Sequence, residues 1–110
     1  MNSIMKNIKK SEILEFKNEI QYQDGQVVSK TLVQNHAVSI TLFAFDKDEE
    51  ISAHESSGDA LVCCIEGKGK IFIDGVEYIL TEGKSIVMPA KHPHAVYSIE
   101  KFKMLLVVVF

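Results

Sequence analysis

Cysteine is scarce in this chain. Only two of the 110 residues are cysteines, and these two, Cys63 and Cys64, are adjacent. Neighbouring side chains of a strand point to opposite faces, so a disulfide between them would require an unusual backbone. We therefore expect two reduced thiols, buried as free cysteines usually are, and a protein that resides in the cytoplasm.

Long apolar segments are also missing. The longest apolar run, MLLVVVF at residues 104–110, is far shorter than the roughly 20 residues of a membrane span. Residues 1–16 contain no apolar stretch of the kind that marks a signal peptide. We expect neither a leader nor a membrane partner.

No cluster of basic residues dominates any segment. Lysine and arginine together number 12 against 15 acidic residues, and the formal net charge is -3. The one basic stretch, Lys6 to Lys10, is followed directly by Glu12 and Glu15. Because phosphate neutralisation needs a concentrated basic face, we expect no nucleic-acid partner.

The pattern along the chain predicts an all-β fold preceded by one short helix. Residues 9–16 (KKSEILEF) allow the helix, with Ser11 as its N-cap. Asp74-Gly75 predicts a two-residue hairpin turn, because both of its central positions need positive φ. Short strands with little helix indicate a β-sandwich or a small barrel. The predicted strands are 26–34, 37–45, 60–66, 70–73, 76–80, 85–88, 95–99 and 102–110. We expect a single domain over 1–110, with its core at about 26–110 and an N-terminal extension at 1–25.

Two of these strands are apolar on both faces, which implies that both faces are covered. They are ALVCCI at 60–65 and LLVVVF at 105–110. In a small barrel one face fills the lumen, and the other must meet a second sheet or another subunit. This pattern favours a homodimer formed through the outer face.

Three histidines are placed where they could converge. His54 precedes the strand at 60–66, and His92 and His94 flank Pro93, so they share one face if that segment is extended. Neutral imidazole is a favoured ligand of Zn, Fe, Ni and Cu. The alternative for each is a hydrogen-bonded structural histidine, and His36 is expected to be a surface residue of a turn.

Two blocks of the sequence, HESSGDALVCCIEG (54–67) and GKSIVMPAKHPH (83–94), resemble the paired motifs of the cupin superfamily. The resemblance, carried by His54, Gly67, Gly83, Pro89 and His94, identifies the chain as similar to small single-domain cupins of the type-2 conserved-barrel kind. It implies a double-stranded β-helix, that is, a jelly-roll barrel.

The first of these motifs is degenerate as a metal site. The family's ligands are two His and one Glu of the first motif and one His of the second, but Ser56 and Ala60 stand at the second His and the Glu. Asp59 is one residue early and is expected to be a turn or surface residue unless a bulge turns it inward. We therefore predict a weakly held divalent metal (Zn, Fe, Ni or Mn) at His54, His94 and His92. Ligand-binding residues would be Ser56, Cys64 and Met88.

Three functions compete at this stage. The first is a small-molecule-binding protein that uses the barrel lumen, with or without the metal. The second is a metal-dependent enzyme of the dioxygenase, isomerase or decarboxylase type, acting on a small carbonyl or aromatic substrate. The third is a sensor or accessory subunit that acts through dimerisation. The fold alone cannot choose among them, because one barrel hosts many chemistries.

Overall fold

The computed structural model describes residues 4–110, and it is built almost entirely of β-strands. Residues 1–3 of the predicted N-terminal extension lie outside the described part. The described elements are a 3-10 turn at Phe16–Asn18 and the strands β1 (Val27–Gln34), β2 (Val38–Phe45), β3 (Glu50–His54), β4 (Asp59–Glu66), β5 (Lys68–Ile73), β6 (Val76–Thr81), β7 (Ser85–Met88), β8 (His94–Ser98) and β9 (Phe102–Val109).

The strands form two antiparallel sheets that face each other. The five-stranded sheet has the order β1-β2-β9-β4-β7, and the four-stranded sheet has the order β3-β8-β5-β6. Among the described residues no ladder joins the two sheets, so the all-β jelly-roll prediction is confirmed but the closed barrel is corrected to an open sandwich. Fully buried side chains, among them Phe45, Phe102 and Ile71, fill the space between the sheets. Sheets that pack face to face lie about 10 Å apart, whereas hydrogen-bonded strands lie roughly 4.8 Å apart, so side chains rather than backbone hydrogen bonds hold the two sheets together.

All eight predicted strands are present, with boundaries within two residues. The Asp74-Gly75 turn is also confirmed, since both residues have positive φ (52° and 79°) and β5 pairs with β6 from Ile73↔Val76 onward. The sequence analysis missed β3, an edge strand that pairs with β8 alone. Only Ile51 of β3 is even partly buried, so the segment lacks the apolar alternation that marks a strand.

The predicted helix at residues 9–16 is wrong. Ser11, its expected N-cap, has a φ of 62°, and the segment before Phe16 forms bends rather than helical turns. Just before this segment the chain is bonded to β1, because Lys6 N donates to Leu32 O at 2.8 Å and the Asn7 side chain donates to Thr31 O at 2.8 Å. An isolated eight-residue helix is marginal in water, so the helical propensity of these residues alone does not suffice to form one.

The N-terminal segment, residues 8–22, packs on part of the outer face of the five-stranded sheet. Ile20 is buried together with Leu32, Leu42 and Ala44, and Ile8 and Tyr22 pack against the same cluster. The alternation predicted for β2 is confirmed, because Leu42 and Ala44 face this outer cluster while Phe45 lies in the core between the sheets. The extension is therefore part of the packing of this sheet.

No helix in the part of the chain from residue 4 onward is long and apolar enough to cross a membrane.

Candidate functional site

A cavity of about 400 Å³ opens between the two sheets, and we call it the lumen pocket. Its wall is mainly apolar, and its polar groups come from residues 54–56 and from His94. The lining residues are Phe43, Ile51, His54, Glu55, Ser56, Ala60, Met88, His94, Val96, Met104, Leu106 and Val108. A larger surface depression of about 590 Å³ lies beside the N-terminal segment and Lys30, but it contains no histidine or cysteine.

Two histidines meet at the polar end of the lumen pocket. His54 ends β3 and His94 begins β8, and the antiparallel register of these strands pairs the two residues directly. Their Nε2 atoms are 3.1 Å apart, and the rings meet edge to face with centroids 4.3 Å apart. His94 is buried, whereas His54 is exposed.

Both rings are oriented by backbone carbonyls. Nδ1 of His54 lies 3.0 Å from Ser52 O, and Nδ1 of His94 lies 3.3 Å from His92 O. When each Nδ1 donates its proton to its carbonyl, both Nε2 atoms are left as acceptors. Two acceptors 3.1 Å apart require a proton or another cation between them. This arrangement resembles the way second-shell carbonyls orient imidazole ligands of metals.

Burial lowers the pKa of His94, and the neighbouring His54 lowers it further, while the contact with His92 O opposes the shift. The lowered pKa favours neutral imidazole, which is the form that binds metal ions.

His92 is placed apart from the other two histidines. Its Nδ1 lies 2.7 Å from Asp74 Oδ2 at the tip of the β5–β6 hairpin, and its side chain is 52% exposed. Among residues 4–110 no three His, Cys, Asp or Glu side chains are grouped so that they could hold a metal ion. The metal role predicted for His92 stays a prediction, and it requires the ring to leave Asp74.

Of the three predicted ligand-binding residues, two line the lumen pocket and one does not. Ser56 and Met88 both line the lumen pocket. Cys64 is buried in the core between the sheets but does not line the pocket, and its thiol donates to the carbonyls of Glu66 and Gly67 at 3.7 Å each. Burial raises the pKa of Cys64 to about 11, so the thiol stays protonated at neutral pH.

Asp59 is an exposed residue at the start of β4, so it lies at the surface as expected but in a strand rather than in a turn. Its carboxylate accepts a hydrogen bond from Ala90 N at 2.8 Å and therefore holds the loop that follows β7. The same loop is tied to the end of β3 through Lys91 N, which donates to Ser56 O at 2.8 Å. These two bonds bring the two motif blocks together at the pocket mouth.

The sequence analysis did not name Glu55 or the apolar wall of the pocket. The wall could have been found from the alternation along β9, because Met104, Leu106 and Val108 share one face of that strand. Because β9 is apolar on both faces, the sequence did not indicate which face lines the pocket.

An open antiparallel sandwich with a mainly apolar pocket and paired imidazoles at its mouth defines a small jelly-roll protein of the cupin type. A model of the family described as "Cupin domain" matches residues 41–110. The chain belongs to the cupin superfamily.

Solved structures agree with this assignment over nearly the whole chain. A conserved protein of unknown function from Streptococcus pyogenes is 44% identical, with a TM-score of 0.95, over 98% of this chain and 95% of that one. A cupin superfamily protein from Desulfitobacterium hafniense is 30% identical, with a TM-score of 0.93, over 98% and 99%. A cupin 2 conserved barrel domain protein from Leptotrichia buccalis is 42% identical, with a TM-score of 0.84. That match covers 86% of this chain but only 46% of the Leptotrichia protein. No curated protein matches the chain.

Proposed function

We propose that the protein binds a small molecule with an apolar body and one polar head group in the lumen pocket. The observation that carries this proposal is the distribution of polarity in the cavity. About 400 Å³ is enclosed mainly by aliphatic and aromatic side chains, and the His54–His94 pair and Ser56 lie together at one end. Small-molecule sites generally combine such an apolar wall with a few polar groups that set orientation.

Each side of the pocket has a defined role in this proposal. Apolar surface buried against Met104, Leu106 and Val108 provides most of the affinity, at about 25 cal/mol for each Å² removed from water. The imidazoles receive the head group, since Nε2 of each ring faces the other rather than a backbone partner. Ser56 Oγ already accepts a bond from Gly58 N at 3.2 Å, and its hydroxyl hydrogen serves as a donor.

The proposal is tested with a thermal-shift panel of small carboxylates, amides and phenols, in buffer that contains a metal chelator. Compounds that stabilise the protein are measured again by calorimetry against Ala60→Leu, which adds three carbons inside the pocket. The matched control is Cys63→Ala, on the opposite face of the same strand. We expect Ala60→Leu to reduce affinity at least tenfold and the control to preserve it. Equal binding to Ala60→Leu would place the ligand elsewhere and reject the proposal.

A second candidate function, metal binding by His54 and His94, is favoured by one distance. Two nitrogen ligands on neighbouring positions of a metal at 2.0–2.1 Å are about 3 to 3.4 Å apart, and the Nε2 atoms are 3.1 Å apart. The pair would supply two donors, and water or the head group of the ligand would complete the shell. Such an ion would act as a Lewis acid toward that head group.

Metal binding is tested by metal analysis of protein purified without an affinity tag. The expected result is a metal content that falls with His94→Ala and with His54→Ala but not with His36→Ala, a control at an exposed turn. A metal content that is the same in wild type, His94→Ala and His54→Ala would reject this candidate. The alternative of a metal-dependent enzyme is not favoured by the family or by the relatives' names.

A further inference from the structure

The four-stranded sheet has one edge that the rest of the described chain leaves open. β6 is the last strand of that sheet and, within residues 4–110, pairs with β5 alone. Three of its apolar side chains, Val76, Tyr78 and Ile79, are between 41% and 53% exposed. An edge strand with exposed apolar side chains is a template for pairing with another chain.

The other three edge strands are each protected by a different device. β1 is interrupted by a register shift between Thr31 and Val33, and its Leu32 carbonyl already accepts a hydrogen bond from Lys6 N. β3 also contains a register shift. β7 has only four residues. Bulges, short length and an occupied backbone are means by which β-proteins prevent edge-to-edge pairing.

β6 has none of these devices. Its ladder with β5 runs without a register shift from the hairpin turn to Thr81, and its six residues, VEYILT, include neither proline nor lysine. The one charged side chain of the strand, Glu77, already has a partner, because Lys70 Nζ lies 3.0 Å from its carboxylate. The edge is therefore regular and carries no unpaired charge.

The two-residue turn between β5 and β6 fixes which backbone groups of β6 bond to β5. Ile73 and Val76 flank this turn and form a hydrogen-bonded pair. Because such pairs alternate along an antiparallel ladder, every second residue after Val76 also bonds to β5. The N–H and C=O groups of Glu77 and Ile79 therefore point away from β5, toward the open edge.

The end of the strand agrees with this assignment. Thr81 belongs to the same series as Glu77 and Ile79, and its carbonyl accepts from Lys84 N, outside the ladder with β5. In the part of the chain from residue 4 onward, Glu77 and Ile79 take part in no such backbone bond. Two N–H groups and two C=O groups are thus available on this edge.

We propose that β6 pairs antiparallel with β6 of a second copy of this chain, across a two-fold axis perpendicular to the sheet. In a register centred on Tyr78, Glu77 of each copy lies opposite Ile79 of the other. These are the residues whose backbone groups face the open edge, so the register forms four hydrogen bonds between the copies. A two-fold contact requires such a self-complementary strand.

The same register also matches the side chains on the interior side of the sheet. Tyr78 faces that side, because it pairs with the core residue Ile71. At the axis Tyr78 meets its own copy, and Val76 lies opposite Leu80 of the second copy. Cross-strand aromatic and aliphatic pairs of this kind stabilise a sheet.

The contact is closed and small. It joins the two four-stranded sheets into one eight-stranded sheet that ends in the protected strand β3 on both sides. Two paired six-residue strands form a smaller contact than the roughly 1,200 Å² of a stable interface, so we expect a weak association that requires high protein concentration. No residue of β6 lines the lumen pocket, so this contact is independent of the proposed ligand site.

The first test measures amide hydrogen exchange of the wild-type chain at micromolar and at millimolar concentration. We expect the amides of Glu77 and Ile79 to become at least tenfold more protected at the higher concentration. The amide of Tyr78 is the internal control, because it already bonds to β5, and its protection should change less than twofold.

The second test compares Ile79→Pro with Ile79→Thr by sedimentation velocity over the same concentration range. Proline removes an N–H that has no partner within the described chain, and edge strands accept proline at such positions. Threonine retains the N–H and the β-branched shape, so it is the matched control. We expect the proline variant to weaken the association at least tenfold and the threonine variant to change it less than threefold. Melting curves check that both variants fold.

Two outcomes would reject the edge contact. One is exchange of the Glu77 and Ile79 amides at the same rate at both concentrations, a measurement that needs no variant and that would leave the edge to an extended segment of another protein. The other is equal self-association of the proline and threonine variants, which would place any contact elsewhere on the molecule. Neither outcome affects the small-molecule proposal, whose assay reports on the lumen pocket.

Discussion

At the scale of single residues, two glycines with positive φ, Gly67 and Gly75, have different roles. Gly67 has a φ of 83°, and a Cβ built on it would overlap the carbonyl oxygen of Lys101. Gly75 has a similar φ of 79°, but a Cβ there would have no heavy atom within 4 Å. Gly67 is therefore required both by its conformation and by close backbone packing, and Gly75 by its conformation alone.

This difference predicts unequal costs for the same substitution. Gly75→Ala should lower the free energy of unfolding by about 1 to 2 kcal/mol, the cost of a left-handed conformation for a residue with a Cβ. Gly67→Ala should cost at least about 2 kcal/mol more, because the backbone of Lys101 must also move. Urea unfolding followed by circular dichroism measures both values. Equal losses would show that the Lys101 carbonyl adapts without cost.

At the scale of elements, the N-terminal segment acts as a cover although it has almost no regular structure. Tyr22 donates to Glu66 at 2.6 Å, and the ammonium group of Lys103 lies 4.7 Å from the centre of the Tyr22 ring. Lys103 is 5% exposed and donates to Lys17 O at 2.6 Å. Burial, followed by the bond to Glu66, raises the pKa of Tyr22. These contacts join residues 17–22 to β4 and β9.

We expect the cover to contribute to global stability. Ile20→Ala should lower the free energy of unfolding by about 2 to 4 kcal/mol, the range for deleting a buried aliphatic side chain. Ile20 is 4% exposed although it lies outside every strand. The matched control is Ile13→Ala, whose side chain is fully exposed and whose effect should stay within about 0.5 kcal/mol. Denaturant titration measures the free energy of unfolding of both variants. An Ile20→Ala variant as stable as wild type would mean that the segment detaches before the sandwich unfolds.

At the scale of the whole molecule, part of the outer face of the five-stranded sheet is apolar and exposed. Val87, Leu61 and Val107 lie side by side across β7, β4 and β9, and no charged side chain separates them. Val87 is 54% exposed and Leu61 is 36% exposed, so this row is open in the single chain. The tail of β9, expected to be fully covered, is also open, since Val109 and Phe110 are more than half exposed.

We propose that a second copy of this chain covers the row through a two-fold contact. An uncharged apolar patch can meet itself without burying unpaired charges, as an isologous interface requires. Leu61→Glu should convert a dimer into a monomer in light scattering after size exclusion. Ile79→Glu, at an apolar residue exposed on the four-stranded sheet, should leave the dimer intact. A wild type that is monomeric at all concentrations would contradict this proposal.

The location of the protein in the cytoplasm stays a prediction.

Local chemistry determined the parts of the fold that the sequence could reveal. Alternation along β2 assigned Leu42 and Phe45 to opposite faces, and Asp74-Gly75 specified a hairpin, because each signal depends only on neighbouring residues. The motif spacing also indicated that His54 and His94 belong to one site. By contrast, β3 and the covering role of residues 8–22 carry no local signal, since both depend on partners that are distant in the chain.

The sequence by itself therefore determined an all-β cupin with a histidine at each motif block. Only the tertiary structure decided which side chains share the pocket. His92 is two residues from His94, yet its ring is bonded to Asp74 on another hairpin. Met88 and His54 are 34 positions apart in the chain, yet they line one cavity. The physical reason is that a side chain's partners are set by strand register and by packing between sheets, and both of these connect residues that sequence spacing keeps apart.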